Sequence, residues 1–474
     1  MHDILGLIPS LRNLLQPVNR LPPELFSHVV RYVPSVHARD TRPIIPLTHV
    51  CRYWREFIVS TPGNWTLISS ERVGLMGLTL ERCKAAPIKL WLNMDQVRGN
   101  PGFSGLTVPY IQNTETLHLR RISTPDELTR TLPNFPQSMP NLRSLSLSGK
   151  AQRDQSIDPF RPLTLPLTHL SLVNFPLYPT FLSPSTLTDL TLRYPRFDLH
   201  LDILLDFLER NPSLERASLD IRFTRSSLRS SRRQVAIRNR LRNLSITTAD
   251  VLDNNALISN IPLQTGAHLE ISLYDRSAGF NDVLSVIYAA RLSNLQSPAF
   301  MEYHADRRDV RLLGPNGSFS FKRLRDLECP FAEFPLLPLT EVRSFRLIRY
   351  KCKATGYPTN PITFPLSSFP ALETLAIEYE TNISALLSTV FSNPSSSRSL
   401  KALAFLDCTI TEDFMEELVQ FASNRKNTTS AWLHHIVIVN SRENLPSVTL
   451  IDTLKKYVPV IDVRIGKELP ADLI

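Results

Sequence analysis

The chain has 474 residues, 42% of them hydrophobic and 20% charged, which is typical of a globular protein that buries a large core. Glycine is scarce (14 residues) and proline abundant (37 residues), and this argues against nucleotide-binding folds, whose glycine-rich loops cradle phosphate through bare backbone. The net charge of +9 favours an acidic partner without identifying one.

The cysteines are odd in number and scattered, without any C-x-x-C spacing, which argues against a disulfide scaffold and a zinc module and indicates a reducing compartment. We find no run of about 18 apolar residues and therefore expect no membrane span. These features predict an intracellular protein of the cytoplasm, the nucleus or both.

Residues 1–18 are predicted to form an amphipathic lead-in helix. Asp3 and Arg12 interrupt its apolar residues, and no basic segment precedes them. This pattern differs from that of a secretory signal peptide.

Residues 19–66 contain two short amphipathic helices. The first begins at the sequence LPPEL (21–25), where prolines suit a first helical turn, and continues with Leu25 and Val29 on one face. The second carries Leu47, Val50 and Trp54 at helical spacing. Two helices of this size cannot bury all of that apolar surface, so the segment predicts a docking module for a partner.

The same segment resembles an F-box. It has Leu-Pro-Pro-Glu-Leu at 21–25, then Leu-Thr-His-Val-Cys-Arg-Tyr-Trp-Arg at 47–55, then a trailing Trp65. The resemblance implies docking onto a Skp-type adaptor and, through it, onto a cullin. It assigns the adaptor-facing role to Leu21, Pro22, Leu25, Val29, Leu47, Val50 and Trp54. For Val50 and Trp54, packing within the small helical core is an equally good interpretation.

The rest of the chain repeats a short apolar phrase, L-x-x-L-x-L with substitutions. It occurs, for example, at Leu142-Leu145-Leu147, Leu167-Leu170-Leu172 and Leu187-Leu190-Leu192, and it returns as late as Leu433-Ile436-Ile438. Most copies are separated by intervals close to the period of leucine-rich repeats, about 20–29 residues. The interval between Ile271 and Cys329 is about twice as long, and we expect a missed copy near 292–312.

Helix signals lie between the phrases, at residues 199–210, after Asp282 and after Thr411. The predicted fold class is α/β: a small N-terminal helical F-box, then a curved β/α leucine-rich-repeat-like solenoid with a parallel inner sheet. Residues 67–110 would be a linker or first cap and residues 111–474 an irregular solenoid. A different β/α solenoid, or a split into two sub-arrays near 275–320, stays open.

In such a solenoid, residues that flank the inner apolar positions point to the concave face, where partners bind. The candidates for binding a substrate there are His118, Arg120, His169, Asp189, Arg193 and Asp220. An ordinary solvated sheet surface is the alternative interpretation of each of them.

A second candidate surface is basic. Between Asp220 and Asp250 the chain has eight arginines and no acidic residue. Arg229, Arg232 and Arg233, with serines interleaved, are candidates for binding an acidic or phosphorylated partner or for a nuclear localisation signal, and the segment could instead be phosphorylated itself. Only Phe223 is available nearby for stacking on bases, which argues against nucleic acid. A solvated basic face is the competing interpretation.

The sequence predicts no enzyme, no cofactor and no metal site, since nucleophile-elbow, Walker and zinc-protease motifs are missing. Cys51 has no positioned His or Asp beside it, and Cys408 occupies the Asn/Cys position of a repeat, where we expect a buried structural thiol. The function that the resemblance implies is substrate recognition for a Skp–cullin–F-box ubiquitin ligase, with an unknown protein as substrate. The alternative is an adaptor-bound scaffold outside ubiquitination.

Overall fold

The computed structural model describes most of the chain between Gln16 and Ile465. Several predicted features lie outside the described residues: most of the 1–18 helix, the helix after Asp282, the strand ending at Cys329, and the side chains Arg229, Arg232 and Arg233. The described residues are 16–35, 44–71, 73–100, 108–124, 127, 139–149, 166–177, 186–223, 240–248, 257–258, 260–261, 263–273, 298–304, 309–315, 317–322, 339–348, 364, 366–380, 382–392, 398–428, 432–440 and 447–465.

The chain divides into two compact units. The first comprises residues 1–221 and 238–240, and the second comprises residues 222–237 and 241–474. The boundary between these two units lies near 221–241. Each unit is described by itself below.

Short helices open the first unit. A 3₁₀ turn (Pro17–Arg20) precedes α1 (Pro23–Ser35), and α2 (Ile44–Leu47), α3 (Arg52–Ser60) and a second 3₁₀ turn (Pro62–Trp65) follow. The prolines at the start of α1 replace N–H groups that would have no partner within the helix, and Glu24 interacts favourably with the helix dipole. Residues 16–65 thus form a helical module, as the sequence predicted.

A parallel sheet makes up the rest of the first unit. Strands β1 to β6 pair in chain order and in parallel. The N–H of Arg216 donates to the Thr188 carbonyl at 2.9 Å, which places β7 beside β6. The strands are β1 (Leu67–Ser69), β2 (Ile88–Asn93), β3 (Thr114–Ile122), β4 (Ser144–Gly149), β5 (His169–Val173), β6 (Asp189–Leu199) and β7 (Arg216–Phe223).

The sheet therefore begins at Leu67, within the 67–110 stretch assigned to a linker or first cap. Helices α4 (Val73–Cys83) and α5 (Met94–Arg98) lie in the same stretch. Helix α6 (Leu201–Arg210) confirms the helix predicted at 199–210 and buries five of its side chains. Its apolar face thus contributes to the core of this unit.

The repeated leucines form one buried face of this sheet. Leu117, Leu145, Leu170 and Leu190, at the second position of the phrase, are at most 3% exposed, and the leucines two residues later are fully buried. Each buried leucine contributes roughly 1.5–3 kcal/mol relative to an exposed one. The phrase thus marks the core positions, as the periodicity predicted.

The second unit continues the same pattern with one interruption. Among its described strands, most neighbours pair in parallel, from β8 to β9 and from β13 through β17. The strands are β8 (Asn243–Thr248), β9 (His268–Leu273), β10 (Phe300–His304), β11 (Asp309–Gly314), β12 (Gly317–Lys322), β13 (Ser344–Ile348), β14 (Thr374–Glu378), β15 (Ala402–Leu406), β16 (His435–Asn440) and β17 (Val460–Ile465).

The interruption is an antiparallel insert in the 275–320 region. Strand β12 pairs in parallel with β9, β11 pairs antiparallel with both β12 and β10, and β10 pairs in parallel with β13. Strand β10 lies where a missed repeat was expected. The solenoid prediction of parallel strands alone is wrong for β11, because the chain reverses direction twice between β10 and β12.

Helices of the second unit follow the strands. They are α7 (Ile383–Ser392), α8 (Glu412–Thr428) and α9 (Val448–Leu454). The hydroxyl of Thr411 accepts a hydrogen bond from the Phe414 N–H at 3.2 Å, so Thr411 caps α8 where the sequence predicted a helix start. The described structure is mixed α/β with a mostly parallel sheet that does not close into a barrel.

A left-handed residue ends several strands. Asn174, Tyr379 and Asp407 directly follow β5, β14 and β15, and each has a φ between 48° and 60°. Their N–H groups still donate to the next strand, for example from Asp407 to the Val439 carbonyl at 2.8 Å. At the end of β4 stands Gly149, where an added Cβ would lie 2.7 Å from the Asn174 carbonyl oxygen. A close backbone approach requires glycine at this position.

Candidate functional site

An aromatic cluster holds the helical module together. Phe26 on α1 is fully buried, and its ring lies 4.9 Å from that of Trp54 and 4.8 Å from that of Phe57, both on α3. Edge-on aromatic pairs at such distances add about 0.5–1.5 kcal/mol beyond their buried area. The module therefore has a core of its own, built across α1 and α3.

Several apolar side chains of the module point to solvent instead. Leu25 is 52% exposed, Val29 is 44% exposed and Val50 is 57% exposed. Leu25 and Val29 lie four residues apart and therefore on one face of α1. Pro22 is also exposed, while Leu21 and Leu47 are half-buried. The four exposed residues, Pro22, Leu25, Val29 and Val50, are called the exposed apolar set below.

Trp54 differs from that set. Besides packing on Phe26, its indole Nε1 donates to Asn19 Oδ1 at 2.5 Å, and the side chain is half-buried. The sequence left two interpretations open for both Val50 and Trp54, namely contact with the adaptor and packing within the helical core. In the structure Val50 is presented to solvent, whereas Trp54 fixes α3 to the 3₁₀ turn before α1.

The trailing tryptophan joins the module to the following helix. Trp65 is 1% exposed, its indole donates to the Ile58 carbonyl at 2.8 Å, and the Arg82 guanidinium lies 4.5 Å from the ring centroid. A cation over an indole face is attractive, by about 0.5–2 kcal/mol. Trp65 thus anchors α3 against α4.

The second candidate surface is the open face of the first unit's sheet, meaning the face opposite the buried leucines. Strand register aligns its residues in rows. One row joins Trp91, His118, Ser146, Ser171 and Thr191 on β2 to β6. Two flanking rows contain the remaining substrate-binding candidates of β3, β5 and β6, namely Arg120 with Arg193, and His169 with Asp189.

His118 and Arg120 are close to Trp91, a residue that sequence reasoning did not single out. The His118 ring stacks on the Trp91 ring with centroids 3.7 Å apart, and the Arg120 guanidinium lies 5.3 Å from the same indole. Burial, with smaller contributions from the cations Arg120 and Lys89, lowers the pKa of His118 to about 4. The imidazole is therefore neutral at pH 7. The alternation of apolar and outward-facing residues along β2 could have identified Trp91 from the sequence, because Trp91 occupies an outward position.

His169 and Asp189 belong to a separate group. Asp189 accepts from the Arg216 guanidinium, and His169 Nε2 lies 3.2 Å from Asp189 Oδ2. Burial opposes ionisation of Asp189, but hydrogen bonds from Arg216 and Thr188 outweigh it and hold the pKa of this carboxyl below its usual value. Asp189 thus already pairs within the chain. Arg193 is exposed and Asp220 is half-buried on the same face.

The corresponding face of the second unit is largely buried. Ala376, Ala402, Ala404, Leu406, Val437 and Val439 form an apolar cluster there, each at most 7% exposed. Strands β14 to β16 therefore bury this face as well as the face that carries the repeated apolar phrase. The signal was a continuous apolar run, since strands buried on both faces do not alternate.

Paired charges lie beside that cluster. Arg346 Nε donates to Glu378 Oε1 at 2.6 Å, and His304 Nε2 lies 2.6 Å from Glu302 Oε1. Burial raises the pKa of Glu378, whereas the hydrogen bond from His304 lowers the pKa of Glu302. Both carboxylates therefore have protein partners within the second unit.

Only the two ends of the basic segment belong to the described residues. Arg222 and Arg240 are exposed, and the three arginines chosen as candidates lie outside the described part of the chain. Within the described ranges, no group of three or more His, Cys, Asp or Glu side chains is arranged to hold a metal ion. None of the helices there has the length and apolar character needed to cross a bilayer.

Comparison with known proteins adds no family assignment: the chain matches no protein-family model and no curated protein sequence. The geometry defines the class of protein as mixed α/β, with a helical N-terminal module and a mostly parallel sheet of repeated strands. Its two candidate surfaces are the exposed apolar set and the open face of the first unit.

Proposed function

We propose that the helical module is an F-box that docks onto a Skp-type adaptor, and that the leucine-rich-repeat-like sheet binds a target protein. The chain would then be the substrate-recognition subunit of a Skp–cullin–F-box ubiquitin ligase. In this proposal the chain performs no chemistry itself, because the family's ligase activity resides in other subunits.

One observation carries the proposal: Leu25, Val29 and Val50 are 44–57% exposed, while Phe26 and Val30 of α1 are fully buried. On α1 the core positions Phe26 and Val30 thus lie next to the exposed apolar positions Leu25 and Val29, and these two, like Val50, are among the residues that the F-box resemblance assigns to the adaptor. Burying a leucine or valine side chain at an interface contributes roughly 1.5–3 kcal/mol. The exposed apolar set would supply that contribution.

The experiment is co-purification with a recombinant Skp-type adaptor. We expect the wild-type chain to bind, and Leu25→Glu/Val50→Glu to weaken binding by about 100-fold or more, since two apolar contacts are lost. Leu78→Glu is the matched control, because Leu78 on α4 is 37% exposed outside the set. Circular dichroism and thermal unfolding establish that both variants are folded.

Four outcomes bear on the proposal. Absence of adaptor binding by the wild-type chain would overturn it, as would equal losses for Leu25→Glu/Val50→Glu and Leu78→Glu. Adding the cullin then separates the ligase from the scaffold alternative. A ternary complex supports the ligase subunit, whereas an adaptor complex that excludes the cullin supports a scaffold.

A further inference from the structure

Strands β9 and β12 bring a serine hydroxyl and an imidazole together in the second unit. His268 on β9 pairs in register with Ser318 on β12, and its ring Nδ1 lies 2.6 Å from Ser318 Oγ. Both side chains are half-buried, on the face opposite the buried side chains of Leu269 and Phe319. A nucleophile and its general base lie within this distance of each other.

The imidazole is in the protonation state that a base requires. Burial is the main cause that lowers the pKa of His268; Glu270 raises it in opposition, and the cations Arg311 and Lys322 lower it. The ring is therefore neutral at pH 7. With its hydrogen on Nε2, the ring accepts the Ser318 proton at Nδ1.

Strands β10 and β11 add a cation and two apolar side chains beside this pair. Leu313 on β11 is opposite Ser318, Phe300 on β10 is opposite Leu313, and both are half-buried. Arg311 is exposed two residues before Leu313 and therefore lies on the same face. Its position is diagonal to Ser318, at about 7–8 Å between backbones, which a long side chain spans. The antiparallel insert thus places a guanidinium and an apolar strip next to the serine hydroxyl.

We infer that Ser318 and His268 form a nucleophilic site that hydrolyses carboxylic esters with an apolar acyl chain. The Ser318 oxygen bonds to the acyl carbon while its proton passes to His268 Nδ1. The ester C–O bond then breaks, and the alcohol leaves with that proton. Water, deprotonated by His268, attacks the acyl-serine, and the carboxylic acid leaves as the proton returns to Ser318.

The neighbouring side chains have separate roles in this reaction. Arg311 stabilises the negative charge that develops on the carbonyl oxygen, and Leu313 and Phe300 contact the acyl chain. The inference goes beyond the proposed function, because this activity lies in the second unit and requires no adaptor.

The first test treats the full-length chain with a biotinylated fluorophosphonate, which transfers its phosphonyl group to an activated serine with loss of fluoride. We expect mass spectrometry to locate the label on Ser318. His268→Asn should slow labelling by about 100-fold or more, since a positioned general base contributes about 10²–10⁴-fold. Ser344→Ala is the matched control, because Ser344 is half-buried on the same face beside Phe300. Absence of label on Ser318, or equal slowing in Ser344→Ala, would overturn the inference.

Turnover is measured with p-nitrophenyl esters. We expect kcat/KM to be about tenfold higher for the hexanoate than for the acetate, since added methylenes are buried against the apolar strip. Leu313→Ala should reduce this preference. Arg311→Met should lower kcat by about tenfold with little change in KM, because its charge interacts with the transition state. Equal rates for the wild-type chain and Ser318→Ala would remove the inference.

The pH profile separates catalysis from a structural role of the same pair. Because the pKa of His268 is lowered from 6.5, hydrolysis should persist at pH 6.5 and be lost on further acidification. Glu270→Gln should move this loss to more acid pH, since Glu270 raises the pKa of His268. A profile with its midpoint above pH 6.5 would contradict the role of His268. Circular dichroism over the same pH range establishes that the chain stays folded, and Ser318→Ala should bind the Skp-type adaptor as the wild-type chain does.

Discussion

His118 has an unusual environment for a sheet histidine. It is stacked on Trp91, half-buried, and near the cations Arg120 and Lys89. Burial and these charges both disfavour the imidazolium, which explains why the pKa of His118 falls from 6.5 to about 4. Since folding favours the neutral ring, its contribution to stability is present above pH 6.5 and is lost as the pH falls from 6.5 towards 4.

We predict that an NMR titration will show His118 ionising near pH 4, with the resonance assigned by comparison with His118→Asn. Arg120→Leu should raise the pKa of His118 but leave it below 6.5, because burial is the larger cause. Arg210→Leu serves as the control and should leave the titration unchanged. A midpoint at 6.5 in the wild-type protein would contradict the stacked arrangement.

Single residues also show where sequence reasoning stops. Exposure of Val50 was one of two predicted alternatives, but the role of Trp54 depends on Asn19, 35 residues away. Arg425 has no exposed surface, and its guanidinium donates to the Leu400 carbonyl at 2.9 Å. Charged residues are rarely buried, so only the folded chain reveals this partner. Cys408, by contrast, is 4% exposed, as its repeat position predicted.

At the scale of elements, the residue that follows α4 has an unfavourable backbone conformation, which a substitution can relieve. Lys84 directly follows this helix and has a φ of 52°, which glycine adopts without strain. We predict that Lys84→Gly will raise the free energy of unfolding by about 0.5–1 kcal/mol, since relief of 1–2 kcal/mol of strain exceeds the entropic cost of glycine. Urea unfolding measures the difference.

Lys84→Ala is the control for that substitution. It removes the same exposed charge but keeps a Cβ, so we expect no gain in stability. If both variants are stabilised equally, loss of charge explains the effect and the backbone interpretation is wrong.

Most helices and strands could be predicted from the period of the apolar phrase, because one buried face imposes that spacing on every repeat. The antiparallel insert could not be predicted in this way, since a repeat pattern presumes that all strands run in the same direction. The available signal was Asn-Gly at 316–317, a dipeptide favoured in tight hairpins, and Gly317 has a φ of 133°. The buried second face of β14 to β16 also needed a different rule, because Ala402–Leu406 is apolar at every position.

At the scale of the whole molecule, the array organisation limits how far a local defect spreads. In repeat arrays each strand contacts mainly its neighbours, so stability is approximately a sum of local terms. Gly149→Ala forces a Cβ to within 2.7 Å of the Asn174 carbonyl oxygen between β4 and β5. Overpacking of this kind typically costs about 1–3 kcal/mol.

We therefore predict that hydrogen exchange in Gly149→Ala will accelerate at Leu145 and Leu170 while Leu375 and Leu403 keep wild-type protection. Gly77→Ala is the matched control, because nothing lies within 4 Å of the added Cβ on α4 and alanine favours helix. Arg346→Met gives the reciprocal case, because it leaves Glu378, which is 3% exposed, without its arginine partner. We expect this variant to accelerate hydrogen exchange at Leu375 and not at Leu145. Acceleration at all four leucines in either variant would mean that the chain unfolds as one cooperative body and that the nearest-neighbour description is wrong.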